Sequence, residues 1–359
     1  MPDLFDPLPL ARGPALKNRF VLAPLTNTQS HDDGTLSDDE FRWLTMRAAG
    51  GFALTMTCAS HVQAIGRGFP GQLGIFSDAQ LPGLTRLAAE IKRLGSVAVV
   101  QLHHAGMRAP RDLNGAQPVC PSDDAETGAR ALTRPEVEQL RDDFIGAALR
   151  AERAGFDGVE LHGAHGYVLC QFLSAEYNRR TDEYGGPLDN RSRLLREIVA
   201  GIRARCRADF TVGVRLSPER FGMKLEEARI VAEELMTGGG IDFLDMSLWD
   251  VFKEPNEEAF GGRPLVSWFT DLGRGTTRLG AAGKISSAAD ARRCLDAGLD
   301  FVILGRAAIL HHDFPRRAKA DPDFAATHLP VSPEYLAAEG LSPPFVRYMG
   351  NWKGFVAAA

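Results

Sequence analysis

Three polar side chains of the kinds that polarise oxygen atoms and donate protons stand close together at His162, His165 and Tyr167. Two imidazoles three residues apart could bind a metal ion, point two donors at one oxygen atom, or be satisfied core histidines. A phenol with an ordinary pKa of about 10 can protonate a developing carbanion at neutral pH. These three side chains therefore fit a conjugate reduction, in which a carbonyl group is polarised and a neighbouring carbon is protonated.

Zinc is the main alternative for the two histidines, but it needs a third protein ligand, for which only His103 or His104 could serve. The cysteines are isolated and form no C-x-x-C pair, which argues against an iron–sulfur cluster or structural zinc. We therefore expect no metal site. Scattered cysteines in a chain of this size are usually small core residues of a reduced, cytoplasmic protein. They are Cys58, Cys120, Cys170, Cys206 and Cys294.

A second group of residues indicates an anion site. Gly283 and Gly305 would let backbone N–H groups approach a phosphate closely, and Arg306 would add charge-assisted hydrogen bonds. The alternative is that the glycines only turn the chain and Arg306 makes a surface ion pair. Arg215 could likewise be structural, or it could neutralise negative charge on a cofactor ring.

The bulk composition is that of an ordinary globular protein with a substantial core. The hydrophobic fraction is 44%, the charged fraction is 24% and the formal net charge is −5. This charge gives no reason to expect nucleic acid or an anionic membrane as a partner. No apolar run reaches the roughly 18 residues of a spanning helix, and the first residues lack the pattern of a secretory signal. We therefore expect a cytoplasmic protein.

The elements that would position these residues alternate along the chain. Short apolar runs predict buried parallel strands, and longer segments with apolar residues at helical spacing separate them. The predicted strands are 19–22, 52–59, 97–103, 158–161, 211–216, 243–247, 277–283 and 301–304, the seventh placed mainly by counting. The predicted helices include 38–49, 82–94, 133–155, 189–205, 225–236 and 287–297.

Eight strand–helix units in one series predict an α/β fold, a closed (β/α)8 TIM barrel, with a doubly wound open sheet as the alternative. In such a barrel the active site lies at the carboxyl ends of the strands, where the polar residues above are found. Residues 4–17 predict a β-hairpin and residues 321–359 a C-terminal extension that packs on something. We expect residues 1–359 to form a single domain.

Longer motifs resemble a known family. The segments 162–174 and 178–186, followed by Asn190 and Arg191, are similar to the central motif of Old Yellow Enzyme-like flavin oxidoreductases. The similarity continues in 18–26, 74–78, 101–106 and 155–161, and it runs from about residue 4 to residue 315 in unbroken order. This resemblance implies an FMN-binding TIM barrel that uses NADPH or NADH as reductant.

The resemblance also implies roles for individual residues. His162 and His165 would hold the carbonyl oxygen of the substrate, and Tyr167 would protonate the α-carbon. The residues implied to bind FMN are Ala23, Pro24, Thr26, Ala59, Gln101, Arg215, Gly283, Gly305 and Arg306. Of these, Gln101 would contact the pyrimidine edge of the flavin and Arg215 its N1 and C2 carbonyl. Gly283, Gly305 and Arg306 would hold its phosphate, as the glycines already indicated.

The implied reaction is a ping-pong hydride transfer from NAD(P)H to an activated alkene, namely an α,β-unsaturated carbonyl compound, a nitroalkene or a quinone. Both half-reactions would share one site, so no second nucleotide-binding domain is needed. The chain departs from its relatives at Thr28, where some have an aromatic residue, and at Met107, where an arginine is usual and Arg108 follows instead. Thr28, Phe69, Trp249 and Trp268 are the candidates for the substrate walls.

Two rival functions remain at this stage. A flavin-independent aldolase or isomerase acting on a phosphate substrate would need a catalytic lysine or a pair of carboxylates, and Lys284 and Asp245 are the nearby candidates. A non-catalytic flavin-binding protein would have no need of a proton donor such as Tyr167. The C-terminal extension of some relatives reaches the active site of a neighbouring subunit, so Arg347 or Trp352 could do so in a homodimer or higher homo-oligomer.

Overall fold

A closed barrel of eight parallel strands forms the centre of the computed structural model, which describes residues 2–357. The barrel strands are β1 (Phe20–Leu22), β2 (Leu54–His61), β3 (Val97–His103), β6 (Gly158–Gly163), β7 (Thr211–Leu216), β8 (Phe243–Ser247), β9 (Arg278–Ala282) and β10 (Phe301–Leu304). They follow one another round the barrel in chain order, and β10 pairs with β1 to close it. The predicted TIM barrel is confirmed, and the open doubly wound sheet is wrong. Two further strands, β4 (Val119–Cys120) and β5 (Arg130–Ala131), pair with each other outside the barrel.

Helices cover the outside of the barrel, and the predicted ones are present to within a few residues. Serine and threonine side chains cap several of them, because the hydroxyl satisfies a free N–H of the first turn: Ser37 accepts from Glu40, and Thr133 forms a capping box with Glu136. The helices are α1 (Asp38–Ala49), α2 (Leu81–Arg93), α3 (Arg111–Asn114), α4 (Arg134–Arg153), α5 (Val168–Leu173), α6 (Leu188–Arg205), α7 (Leu225–Thr237), α8 (Ser267–Thr270), α9 (Ala288–Asp296), α10 (Arg306–Leu310), α11 (Phe314–Ala320), α12 (Pro333–Ala338) and α13 (Pro343–Gly350). Among the described residues, no helix is long and apolar enough to cross a membrane.

An N-terminal hairpin closes the amino end of the barrel. Leu8 and Leu16 exchange two backbone hydrogen bonds of 2.8 and 2.9 Å, and both side chains are buried. They pack in one cluster with residues at the start of barrel strands, among them Leu54, Phe243 and Phe301. The predicted hairpin is thus present, and it covers the amino end of the barrel.

The C-terminal extension packs on the barrel of its own chain. Phe345 of α13 is fully buried, and its ring meets the indole of Trp43 edge-on at a centroid distance of 5.5 Å. The backbone N–H of Ser342 donates to Oε1 of Gln29 at 2.9 Å. The extension therefore contributes to the core beside α1.

Residues in the left-handed backbone region point to one face of the molecule. The non-glycine residues in this conformation are Thr28, His165, Arg220, Phe221, Trp249 and Lys284. Each follows the carboxyl end of a barrel strand. Such conformations cost about 1–3 kcal/mol each, and they cluster at functional sites where the surrounding structure holds them in place. The backbone therefore indicates the same face as the polar residues do.

Candidate active site

His162, His165 and Tyr167 meet at the carboxyl end of β6, as expected. The rings of His162 and His165 lie 5.0 Å apart, and those of His162 and Tyr167 lie 5.1 Å apart between centroids. His165 is held in the left-handed conformation, and its backbone N–H donates to the hydroxyl of Ser217 at 3.0 Å. Its ring Nε2 lies 2.7 Å from the hydroxyl of Ser247. The Nδ1 atom of His162 is buried and has no hydrogen-bond partner among the described residues.

Tyr167 stands at the start of α5 between an imidazole and a guanidinium. The ring of His103 packs edge-on against it at 4.3 Å between centroids, and the Arg108 guanidinium lies 4.8 Å from the centre of its ring. Arg108 also donates to the backbone oxygen of His165 at 2.5 Å. The arginine that follows Met107 therefore reaches the candidate proton donor.

Burial controls the charge of this group. It holds the pKa of His162 and of His103 well below the usual value, and it lowers the pKa of His165 to about 3, with the Arg215 charge acting in the same direction. The imidazoles are therefore neutral at physiological pH, and each offers one N–H donor. Burial raises the pKa of Tyr167, while the Arg108 charge opposes this and Tyr348 of α13 adds to it. The phenol therefore keeps its proton at neutral pH.

Below the histidines, polar side chains of four neighbouring strands meet inside the barrel. Gln101 donates to Oε1 of Glu160 at 2.7 Å. Arg215 forms an ion pair with Asp245, with 3.0 Å between Nε and Oδ2, and also donates to Ser247 at 3.3 Å. The strand register explains this group, because Gln101 pairs with Glu160, and Arg215 pairs with both His162 and Asp245. Gln101 and Arg215 are thus close to the histidines, as expected.

The residues expected to bind phosphate lie at the ends of β9 and β10. A Cβ atom at Gly283 would come within 2.9 Å of the backbone nitrogen of Asp250, so the neighbouring loop already requires glycine there. A Cβ at Gly305 would meet nothing closer than 3.5 Å, and Arg306 begins α10 with an exposed side chain. The space at Gly305 and the exposed guanidinium fit an anion such as the phosphate of FMN.

Other residues expected to touch the flavin lie at neighbouring strand ends. Ala23 follows β1, with Pro24 and Thr26 partly exposed beyond it. Ala59 lies in β2 opposite Gln101, and its backbone oxygen accepts a hydrogen bond from Gln72. These residues form part of the rim of the barrel mouth, where a flat ring could lie over Gln101.

The candidate wall residues are spread more widely. Thr28 and Phe69 are partly buried, and Trp249 is 56% exposed with the Arg220 guanidinium 4.9 Å from its ring centre. Trp268 lies in a separate cluster, where Arg263 stacks on its indole at 3.7 Å and its indole N–H donates to the backbone oxygen of Phe260. The structure therefore does not bring Trp268 together with the histidines.

Three residues of the site were missed by the sequence reasoning. Ser247 bridges His165 and Arg215, Phe221 packs against His165 at 6.3 Å between ring centroids, and Tyr348 of the C-terminal extension is close enough to help raise the pKa of Tyr167. The position of Ser247, two residues after Asp245 on the same face of β8, was a signal that could have identified it. Nothing in the sequence around Phe221 or Tyr348 singles them out.

The arrangement does not favour the rival readings. No group of three or more His, Cys, Asp or Glu side chains that could hold a metal ion occurs within residues 2–357. Lys284 forms an ion pair with Asp250 at 3.0 Å, whereas Asp245 pairs with Arg215 inside the barrel. The lysine and the carboxylate proposed for an aldolase thus belong to separate ion pairs.

Comparisons with known proteins agree with this arrangement. Residues 3–323 match the model of the NADH:flavin oxidoreductase / NADH oxidase family. A probable NADH-dependent flavin oxidoreductase, YqiG of Bacillus subtilis, is 35% identical over 327 residues, which are 88% of this chain and 87% of that protein. An NADPH dehydrogenase of Halalkalibacterium halodurans is 35% identical over 86% of this chain and 92% of its own length. Not all relatives are of this size, since the chain covers only 36% of an NADH:fumarate oxidoreductase of Klebsiella pneumoniae that is 34% identical over 88% of this chain.

Among solved structures, the Old Yellow Enzyme homologue of Zymomonas mobilis superimposes with a TM-score of 0.80 at 29% identity, over 97% of this chain and 99% of that one. Family model, relatives and structure all concern flavin oxidoreductases, and they do not favour a flavin-independent aldolase or a non-catalytic binding protein. The chain belongs to the NADH:flavin oxidoreductase / NADH oxidase family, the family of Old Yellow Enzyme, and is an FMN-dependent oxidoreductase with a nicotinamide reductant.

Proposed function

We propose that the protein reduces the activated C=C bond of α,β-unsaturated carbonyl compounds, nitroalkenes or quinones. The observation that carries this proposal is the meeting of two neutral imidazoles and a phenol at the carboxyl end of β6, where the ring of His162 lies 5.0 Å from that of His165 and 5.1 Å from that of Tyr167. Each neutral imidazole offers one N–H donor, so the pair can hold one oxygen acceptor. A carbonyl or nitro oxygen has the required acceptor chemistry.

Two neutral imidazoles would hold this oxygen. His162 has a free ring nitrogen, whereas His165 has its Nε2 engaged with Ser247 and would use Nδ1 or exchange this partner for the substrate. The hydrogen bonds strengthen as negative charge develops on the oxygen, so they stabilise the transition state more than the ground state. The backbone of His165 is fixed by Ser217, so the loop that carries the imidazole need not reorganise.

Tyr167 would deliver the proton to the α-carbon. Its phenol is protonated at neutral pH because burial raises its pKa, and the Arg108 guanidinium over its ring stabilises the negative charge that forms when the proton leaves. A positioned general acid of this kind contributes typically about 10²–10⁴-fold to the rate. The second half of the reaction is therefore the one that depends on Tyr167.

The chain's own residues fit FMN at the carboxyl face. Arg215 is buried near the mouth of the barrel, where its Nε lies 3.0 Å from Asp245 and another of its nitrogens donates to Ser247, so its positive charge lies where the electron-rich edge of a ring would bind. Gly305 and Arg306 offer space and charge for a phosphate, with Gly283 beside them. When bound, FMN supplies the hydride transfer between NAD(P)H and the alkene.

The test is an absorbance spectrum of the purified protein, recorded during anaerobic addition of NADPH and then of 2-cyclohexenone. We expect flavin bands that bleach with NADPH and return with the enone. A protein that stays colourless after incubation with FMN would contradict the cofactor assignment. Bands that bleach but do not return with an enone, a nitroalkene or a quinone would contradict the proposed substrate class.

We also propose that residues 1–359 act as one FMN-binding domain and that the chain forms a homodimer or higher homo-oligomer through its C-terminal extension. Support for the second point is that Arg347 and Trp352 are exposed although the segment around them is anchored by buried Phe345. Light scattering at micromolar concentration should give at least twice the mass of one chain. A monomer under these conditions would contradict the oligomer.

A further inference from the structure

Two carboxylates are buried beneath the candidate active site, and the proposed reaction uses neither of them. Glu160 of β6 and Asp245 of β8, here called the buried acidic pair, are both fully buried inside the barrel. Arg215 of β7 stands on the strand between them and forms its ion pair with Asp245. Among the described residues, the only hydrogen bond to the carboxyl group of Glu160 comes from Gln101, and its Oε2 atom has no partner.

The charges around Glu160 do not balance if both acids are ionised. The groups that face it are Gln101 from β3, Arg215 from β7 and Asp245 from β8. On its own strand, His162 lies nearer the mouth and is kept neutral by burial. One guanidinium would then face two carboxylates, and the net negative charge that remains would be buried away from solvent. An uncompensated buried charge is so unfavourable that a group of this kind binds a proton instead.

Geometry also indicates which acid carries the proton. Asp245 lies 3.0 Å from the Arg215 guanidinium, whereas the single partner of Glu160 is a neutral amide. An amide N–H donates equally well to the carbonyl oxygen of a neutral carboxylic acid, which leaves Oε2 as the protonated atom. In agreement with this, burial and the neighbouring Asp245 charge raise the pKa of Glu160.

We propose that Glu160 is protonated in the resting protein and tunes the charge beneath the bound cofactor. While Glu160 is neutral, Arg215 and Asp245 balance each other. When Glu160 releases its proton to solvent, its carboxylate adds one negative charge close to Arg215 and opposes the negative charge that reduction places there. The effect on the cofactor rests on the proposed function, but the protonation of Glu160 can be tested without any cofactor.

The first experiment is infrared spectroscopy of the apoprotein at neutral pH. We expect the wild-type spectrum to contain the C=O stretch of a protonated carboxylic acid that shifts in D2O and is absent from Glu160→Gln. Labelling of the wild-type glutamate side-chain carboxyls with ¹³C should shift the same band, which assigns it to a glutamate independently of any variant. Glu40→Gln is the matched control, because Glu40 is another fully buried glutamate whose pKa burial raises, and its band must be a different one. If no band depends on Glu160, the proposal is wrong.

The second experiment measures the midpoint potential of bound FMN against pH by equilibration with redox dyes. Glutamine mimics a protonated glutamate, so Glu160→Gln should match the wild-type potential at neutral pH. As the pH rises, the wild-type potential should fall more steeply than that of Glu160→Gln. The additional slope should correspond to one proton bound for each two-electron reduction. Glu40→Gln should retain the wild-type pH dependence.

Two outcomes would overturn the tuning role. A higher potential of Glu160→Gln already at neutral pH would show that Glu160 is ionised in the wild type. Equal potentials across the whole pH range would show that its charge does not reach the cofactor. Failure to bind FMN would instead contradict the proposed function, and the infrared result would still decide the protonation of Glu160.

Discussion

Tyr167 experiences two opposing effects that suit a proton donor. Burial stabilises the neutral phenol, and the Arg108 guanidinium at 4.8 Å from its ring stabilises the phenolate. The first effect is larger, so the proton is retained until a stronger base, such as a developing carbanion, lies next to it. The ring is also fixed by His103 at 4.3 Å, which limits its movement when substrate binds.

Replacement of Tyr167 by phenylalanine should therefore separate the two half-reactions. The ring contacts with His103 and Arg108 persist in Tyr167→Phe, while the proton is lost. We expect reduction by NADPH to proceed at nearly the wild-type rate and alkene turnover to slow by about 10²-fold or more. Stopped-flow absorbance of each half-reaction measures both rates. Equal slowing of the two would show that Tyr167 does not act as the proton donor.

Individual residues of the site differed in how far the sequence could predict them. His162, His165 and Tyr167 stand in one short segment, so their proximity followed from spacing and from the strand end at residue 161. Ser247 was missed because serine is common in every kind of loop and strand. Phe221 was missed because its position depends on the left-handed backbone of Arg220 and Phe221, which two non-glycine residues rarely adopt.

At the scale of elements, the two glycines that follow β9 and β10 have different surroundings. A Cβ at Gly283 would lie 2.9–3.0 Å from the backbone of the loop after β8, whereas one at Gly305 has ordinary contacts of 3.5 and 3.9 Å with Leu25 and Ala23. The first glycine is required by packing between two loops. The second leaves space at the face where a phosphate would lie.

Alanine substitutions at these glycines should therefore differ. Gly283→Ala should lower the free energy of unfolding by roughly 1–3 kcal/mol, because the loop backbone must move. Gly305→Ala should leave the stability of the apoprotein within about 0.5 kcal/mol and weaken FMN binding. Chemical denaturation and flavin fluorescence titration measure these quantities. Wild-type FMN affinity in Gly305→Ala would argue against a phosphate at this position.

The elements themselves were largely predictable, and the exceptions have physical causes. Continuous apolar runs identified seven strands, and β9 could be placed only by counting because its sequence is rich in glycine and alanine. The strands β4 and β5 were not predicted, since two residues are too short for any periodicity. The C-terminal helices α12 and α13 were read only as a packing tail, because prolines at their first positions resemble loop signals.

For the molecule as a whole, the buried histidines make stability sensitive to acid. Burial lowers the pKa of His104 and His165 to about 3 and that of His61 to about 4, and it holds those of His103 and His162 well below the usual value. The unfolded chain binds these protons at pH values near 6.5, whereas the folded chain does not. Stability is therefore present above this pH and is lost as the pH falls through it.

We expect the free energy of unfolding to decline below about pH 6.5 by up to about 1.4 kcal/mol per pH unit for each buried histidine. Urea denaturation at a series of pH values measures the slope. His104→Gln should reduce the slope by one proton, because it removes one buried imidazole. A stability that does not change between neutral pH and pH 5 would show that these imidazoles are accessible to protons in the folded state.

The C-terminal extension connects the stability of one chain to its possible assembly, and two aromatic residues separate these effects. Phe345 is fully buried against Trp43, so Phe345→Ala should lower the free energy of unfolding by about 3–5 kcal/mol. Trp352 is 43% exposed, so Trp352→Ala should change the stability of an isolated chain by less than about 0.5 kcal/mol. If the extension also contacts a second copy, Trp352→Ala should lower the mass measured by light scattering and make the melting temperature less dependent on protein concentration, because association stabilises the folded state by mass action. An unchanged mass together with unchanged stability would place Trp352 outside any interface and would leave the anchoring of the extension to its own barrel as the role of this segment.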